Sequence, residues 1–150
     1  MKDKRQVIPV LGLAATIAFA VYMVVQLNGQ ERVAAGNFTN AATAEVRDAQ
    51  GQVVLRGQFA QADEDDDDVE RKATLQPAGA DADAAGEAEV EFAKASATKQ
   101  EIEFSVRNLQ AGVAFTFVID GVDVATATAD RRGRAEVEVD VPLPGTTASR

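Results

Sequence analysis

Between residues 87 and 141, apolar and polar side chains alternate with a period of two, and this pattern constrains the fold more than any other feature of the sequence. Within residues 100–109, Ile102, Phe104 and Val106 alternate with charged or polar neighbours. Successive side chains of a β-strand point to opposite faces of the sheet. The pattern therefore predicts strands that turn one face to a core and the other to water.

Turn signals separate these extended segments. The Asp-Gly pair at 120–121 is typical of a two-residue hairpin, because both central residues need positive φ. The Asp-x-x-Gly patterns at 48–51 and 130–133 indicate type I turns that close on glycine in G1-bulge hairpins, and their likeness leaves a duplicated hairpin open. We predict about eight strands, at residues 41–48, 52–60, 69–76, 87–93, 100–108, 113–119, 123–129 and 134–141. Sequential hairpins at this spacing predict an all-β domain, either an antiparallel β-sandwich or a small barrel.

Residues 7–27 form an uncharged, mostly apolar run that follows a basic N-terminus. At about 1.5 Å per residue a helix over this run spans roughly 31 Å, which matches a bilayer core. Lys2, Lys4 and Arg5 are expected to stay cytoplasmic. We predict a single-pass membrane protein with a cytoplasmic segment 1–6, a transmembrane helix 7–27, a tether 28–40, an extracytoplasmic β-domain 41–142 (periplasmic or at the cell surface) and a flexible tail 143–150.

The anchor also presents residues suited to packing against another helix. Small residues allow close helix approach, and a tyrosine near the end of a span is typical of the membrane interface. The predicted packing residues are Gly12, Ala15, Phe19 and Tyr22.

The alternative to a membrane anchor is a secretory signal cleaved before Gly36, since residues 33–35 are small.

Composition excludes most catalytic chemistry. The chain has no Cys, His or Trp, and its single Tyr lies in the predicted anchor. Disulfides, thiol nucleophiles, imidazole bases and the usual zinc sites are therefore absent. Paired carboxylates could hydrolyse glycosides, but sugar sites need exposed aromatic rings, and only Phe38 and Phe59 are candidates. We therefore expect no enzyme activity and no cofactor.

The net charge of the chain indicates which kinds of partner it can bind. Beyond residue 28 the chain carries 12 basic and 23 acidic side chains, a net charge of -11. Such a field repels nucleic acid, so we expect no nucleic-acid partner. Three arginines, Arg131, Arg132 and Arg134, form a basic turn that is either solvated or pairs head to tail with the acidic run of another copy.

That acidic run comprises residues 63–68, six consecutive carboxylates. Oxygen ligands of this kind suit Ca²⁺, and the candidate ligands are Asp63, Asp65, Asp66, Asp67 and Asp68. The EF-hand pattern is not met, because Asp68 occupies its glycine position and Thr74 its final glutamate position. The other interpretation is a solvated loop whose charge keeps a sheet edge from pairing with another chain.

Two functions follow from these features. The first is a non-enzymatic, membrane-anchored structural or accessory subunit that contacts a protein partner in a larger membrane or envelope complex. The second is an extracytoplasmic binding module that uses the acidic run for Ca²⁺ or a cationic partner. Separately, Asn37-Phe38-Thr39 matches the acceptor pattern for N-glycosylation.

Overall fold

The described part of the chain forms nine strands, all of them antiparallel to their neighbours. The computed structural model describes residues 36–64, 67–79, 81–94 and 97–143. The strands are β1 (Thr43–Arg47), β2 (Val53–Gln58), β3 (Asp63–Glu64), β4 (Asp68–Pro77), β5 (Ala85–Ala93), β6 (Lys99–Arg107), β7 (Ala114–Ile119), β8 (Val122–Thr128) and β9 (Ala135–Pro142). Eight of them match the predicted strands, and each observed end lies within two residues of the expected one. The all-β, antiparallel prediction is confirmed.

The predicted anchor, with Gly12, Ala15, Phe19 and Tyr22, lies outside the described residues, as do most of the predicted tether and tail. Within the described residues no helix has the length and hydropathy needed to cross a membrane.

The strands join into a single sheet that almost closes on itself. Their order is β8-β7-β1-β2-β4-β5-β6-β9, and the short β3 pairs with β4 outside this path. The terminal strands β8 and β9 lie side by side across a seam. Of the two predicted architectures, the domain is therefore the barrel-like one.

The core lies inside the curved sheet and is built from the alternating apolar residues. Every second side chain of β6 is buried, and the same period holds along β9. At the centre, the rings of Phe104 and Phe117 have centroids 5.1 Å apart and are tilted by 58°. Such tilted aromatic pairs are favourable beyond the area that they bury.

The two Asp-x-x-Gly turns have the same geometry. Asp48 Oδ1 accepts hydrogen bonds from the N–H groups two and four residues later, at 2.9 and 2.8 Å. Asp130 Oδ1 does the same at 2.7 and 2.9 Å. Each turn ends on a glycine with positive φ, 79° at Gly51 and 71° at Gly133.

The strands around these turns differ. The first turn joins β1 and β2, which form a hairpin with a bulge after Val46, as predicted. The second joins β8 and β9, which pair with β7 and β6 and form no ladder with each other among the described strands. The prediction of a hairpin at 130–133 was therefore wrong, because the same turn there links the two ends of the sheet.

One end of the barrel is crossed by residues 36–41, which we call the strap. Phe38 points into the core and is only 3% exposed, so its expected exposure was wrong. Gln100, which is fully buried at the start of β6, accepts a hydrogen bond from Phe38 N through Oε1 and donates one to Gly36 O through Nε2. Arg71 Nη1 donates to Ala41 O at 3.3 Å. The end of the predicted tether thus packs as part of the β-domain.

The predicted hairpin at 120–121 also fixes the two residues that follow the strap. Asp120 and Gly121 have φ of 48° and 81°, as this turn requires. The Asp120 carboxylate accepts hydrogen bonds from the N–H groups of Ala42 and Thr43 at 3.1 and 2.8 Å. The entry of the chain into β1 is therefore fixed by a residue 77 positions later.

Candidate functional site

The outward side chains of β4, β5, β6 and β9 form a continuous surface, which we call the acidic face. Because apolar positions alternate with acidic ones along these strands, nearly all of their carboxylates point to water on one side of the sheet. The acidic face carries Glu70, Glu87, Glu89, Glu91, Glu101, Glu103, Glu136, Glu138 and Asp140.

The strand register brings these carboxylates opposite one another. Glu101 of β6 lies between Glu91 of β5 and Asp140 of β9. One row further along, Glu103 lies between Glu89 and Glu138. Like charges directly opposite each other on adjacent strands are destabilising. The repulsion between these carboxylates therefore destabilises the acidic face, and positive charges placed between them would reduce it.

The two central carboxylates titrate abnormally. Partial desolvation, followed by the negative charges of Glu138, Asp140 and Glu91, raises the pKa of Glu101. Desolvation and the neighbouring carboxylates raise the pKa of Glu103 in the same way. Each group therefore holds its proton more tightly than an isolated glutamate does.

Few basic side chains balance this charge. Lys72 forms ion pairs with Glu70 and, at 3.6 Å, with Glu89. At the strap end of the sheet, Lys99 Nζ lies 2.8 Å from Asp140. Exposed pairs of this kind contribute little to stability. The acidic face remains strongly negative.

Elsewhere on the sheet, a carboxylate is fully compensated. Glu45 accepts hydrogen bonds from Arg47 Nη2 at 2.6 Å and from Arg56 Nε at 2.8 Å. Burial pushes the pKa of Glu45 upward, but the hydrogen bonds and charges of the two arginines outweigh it and lower the pKa. The contrast shows that the sheet pairs its charges on β1 and β2 and leaves them unbalanced on the acidic face.

Of the predicted calcium ligands, Asp63, Asp67 and Asp68 are described and lie at the strap end of the barrel. Asp63 belongs to β3, where it pairs with Glu70, and Asp68 begins β4 opposite Ala93. The carbonyl of Asp67 accepts a hydrogen bond from Lys94 N at 2.9 Å. The other two candidates, Asp65 and Asp66, lie outside the described residues. In the described part of the chain no three acidic side chains are grouped so that they could hold a metal ion.

The basic turn lies at the opposite end of the barrel from the acidic run. Arg131, Arg132 and Arg134 are exposed there, beside the turn carboxylate. Backbone hydrogen bonds from Arg134 and Arg132 lower the pKa of Asp130. Head-to-tail pairing of two copies stays a prediction.

Comparisons with protein-family models, curated proteins and solved structures find no match to this chain. Its function must therefore be inferred from its own residues. The sequence shows the alternating glutamates of single strands, but the acidic face depends on which strands are neighbours. Only the observed strand order and register bring the carboxylates together.

Proposed function

We propose that this protein is a membrane-anchored, non-enzymatic accessory subunit whose extracytoplasmic β-domain binds a basic surface of a protein partner. The apolar run 7–27 supports the anchor, and the acidic face supports the contact. The single observation that carries the proposal is the cross-strand stacking of like charges around Glu101 and Glu103.

The chemistry of the acidic face favours a basic protein surface. Lysine or arginine side chains placed between opposed carboxylates would remove their repulsion and form charge-assisted hydrogen bonds. Complementary charge also steers a partner and fixes its register more than it adds affinity. A sheet surface with carboxylates on neighbouring strands suits a folded partner that presents several cations at once.

The net negative charge of the β-domain disfavours partners that are themselves negatively charged. Nucleic acids and anionic lipid headgroups present dense negative charge, which the acidic face repels. A protein partner in the same membrane is held close by the proposed anchor, so that a contact of modest affinity is sufficient.

The test is gentle detergent extraction of native membranes, followed by sizing and identification of the proteins that travel with the full-length chain. The variant Glu101→Gln/Glu103→Gln removes two central charges, and Asp81→Asn/Asp83→Asn removes two exposed charges from a loop outside the face. We expect the wild type and the loop variant to be recovered in one defined complex. We expect the face variant to lose most of its partner.

The design separates binding from folding. Replacing Glu101 and Glu103 with Gln removes the repulsion between opposed carboxylates. The face variant should therefore be at least as stable as the wild type. Equal partner recovery from both variants, or recovery of the wild type as a free monomer, contradicts the proposal. In the second case, a melting temperature that rises with millimolar Ca²⁺ would favour the binding-module alternative.

A further inference from the structure

Within the strap, the tripeptide Asn37-Phe38-Thr39 forms a local structure that plays no part in the proposed contact with a partner. Asn37 is exposed, whereas the neighbouring Phe38 is buried in the core. The Asn37 Oδ1 atom accepts a hydrogen bond from Thr39 N at 3.0 Å and one from Thr39 Oγ1 at 2.7 Å. This is an Asx turn, in which both the backbone N–H and the hydroxyl of Thr39 bind the side chain of Asn37.

The hydrogen bonds engage only one end of the Asn37 amide. Its Nδ2 atom takes part in none of the hydrogen bonds formed among the described residues. Nδ2 is the atom that carries the sugar in N-linked glycans, and the reaction requires a hydroxyl residue two positions later with any residue except proline between. The strap meets each of these requirements.

The surroundings leave room for a bulky group. Asn37 lines an open groove of about 500 Å³ beside the strap, together with Thr39, Asn40 and Leu143. Phe38 anchors this part of the strap in the core. A carbohydrate on Asn37 would extend outward without displacing a buried side chain.

We propose that Asn37 is an N-glycan acceptor. In the reaction, Nδ2 attacks the anomeric carbon of an oligosaccharide carried on an isoprenoid diphosphate. The new C–N bond replaces the C–O bond to the diphosphate, the isoprenoid diphosphate leaves, and the Nδ2 proton passes to a base of the transferase. The inference rests on the proposed extracytoplasmic placement of the β-domain, because such acceptor sites belong to exported chains.

The test is the mass of the full-length protein purified from its own membranes, with mapping of the peptide that contains Asn37. Asn37→Asp keeps an oxygen acceptor for Thr39 but removes Nδ2, so the turn should persist and the glycan should not. Asn40→Asp makes the same charge change at an exposed strap residue outside the motif. We expect a carbohydrate mass increment on the wild type and on the Asn40 variant, and its complete loss from the Asn37 variant.

A second readout separates this inference from the proposed placement. In intact cells, a membrane-impermeant amine reagent should label Lys94, which is exposed just after β5 and outside the acidic face, and should spare Lys2 and Lys4. Unmodified Asn37 together with labelled Lys94 overturns the glycan assignment alone. Unmodified Asn37 together with protected Lys94 overturns both the assignment and the placement.

Discussion

Gln100 binds the backbone on both sides of Asn37: its Oε1 accepts from Phe38 N at 2.8 Å, and its Nε2 donates to Gly36 O at 2.7 Å. The side chain is fully buried, and it continues a stripe that is otherwise apolar along β6. A buried amide with both ends bonded fixes one conformation of the strap.

Replacing Gln100 with Ala should destabilise the domain by about 1–3 kcal/mol, because Phe38 N loses its partner in a buried site and Gly36 O loses one in a half-buried site. The measurement is the urea midpoint of the full-length chain in mild detergent. Gln110→Ala, at an exposed position, is the matched control and should leave the midpoint unchanged. Equal midpoints for the two variants would show that the hydrogen bonds between Gln100 and the strap contribute nothing to stability.

Asp120 should be replaceable by Asn but not by Ala. Asp120→Ala removes the acceptor for the N–H groups of Ala42 and Thr43 and places alanine at positive φ, with an expected loss of about 2–3 kcal/mol. Asp120→Asn keeps an oxygen acceptor and tolerates this backbone conformation, so its loss should be smaller. Thermal melting followed by circular dichroism measures both, with exposed Asp123→Ala as the control. A ranking in which Asn costs as much as Ala would contradict this account.

The two equivalent glycines should respond differently to alanine. Gly51→Ala meets no atom within 4 Å, so only the positive φ opposes it, at a cost of about 1–2 kcal/mol. Gly133→Ala has the same backbone cost, and its Cβ also collides with the carbonyl oxygen of Leu109, which adds about 1–3 kcal/mol. Urea midpoints of the two variants compare them directly. Similar losses would mean that the Leu109 contact relaxes freely.

Stability should rise as the pH falls from neutral toward the titration range of glutamate. Glu101 and Glu103 have raised pKa values in the folded state, which therefore binds more protons than the unfolded chain over this range. Glu45 and Asp130 have lowered pKa values, so the stability that they contribute is lost at still lower pH. Melting temperature as a function of pH should show a mildly acidic maximum. The Glu101→Gln/Glu103→Gln variant should lose the rise, and a rise that persists would assign it to other groups.

The sequence predicts the strands well because local pattern determines them. Alternation and turn residues are properties of neighbouring positions, and they locate eight strands to within two residues. The short strand β3 escapes prediction because its two residues, Asp63 and Glu64, are both acidic and show no alternation. Its pairing with β4 depends on the hairpin that brings the two segments together.

Long-range pairing is the part that the sequence does not reveal. The acidic face requires β5, β6 and β9 to be neighbours, although β9 lies three strands after β6 in the chain. The burial of Phe38 likewise depends on a polar residue 62 positions away, which a local pattern cannot identify. Strand order and the strap thus follow from tertiary packing.

The strap cannot fold as soon as it is synthesised, because its hydrogen-bond partner Gln100 lies later in the chain. Phe38 leaves the ribosome 62 residues before Gln100, and at typical elongation rates this separation corresponds to about 3–12 s. The two residues that follow the strap wait still longer, because the N–H groups of Ala42 and Thr43 bind the carboxylate of Asp120. During these intervals the strap and the residues after it cannot make their folded contacts. The first residues of the domain to be made thus wait for partners from its later strands.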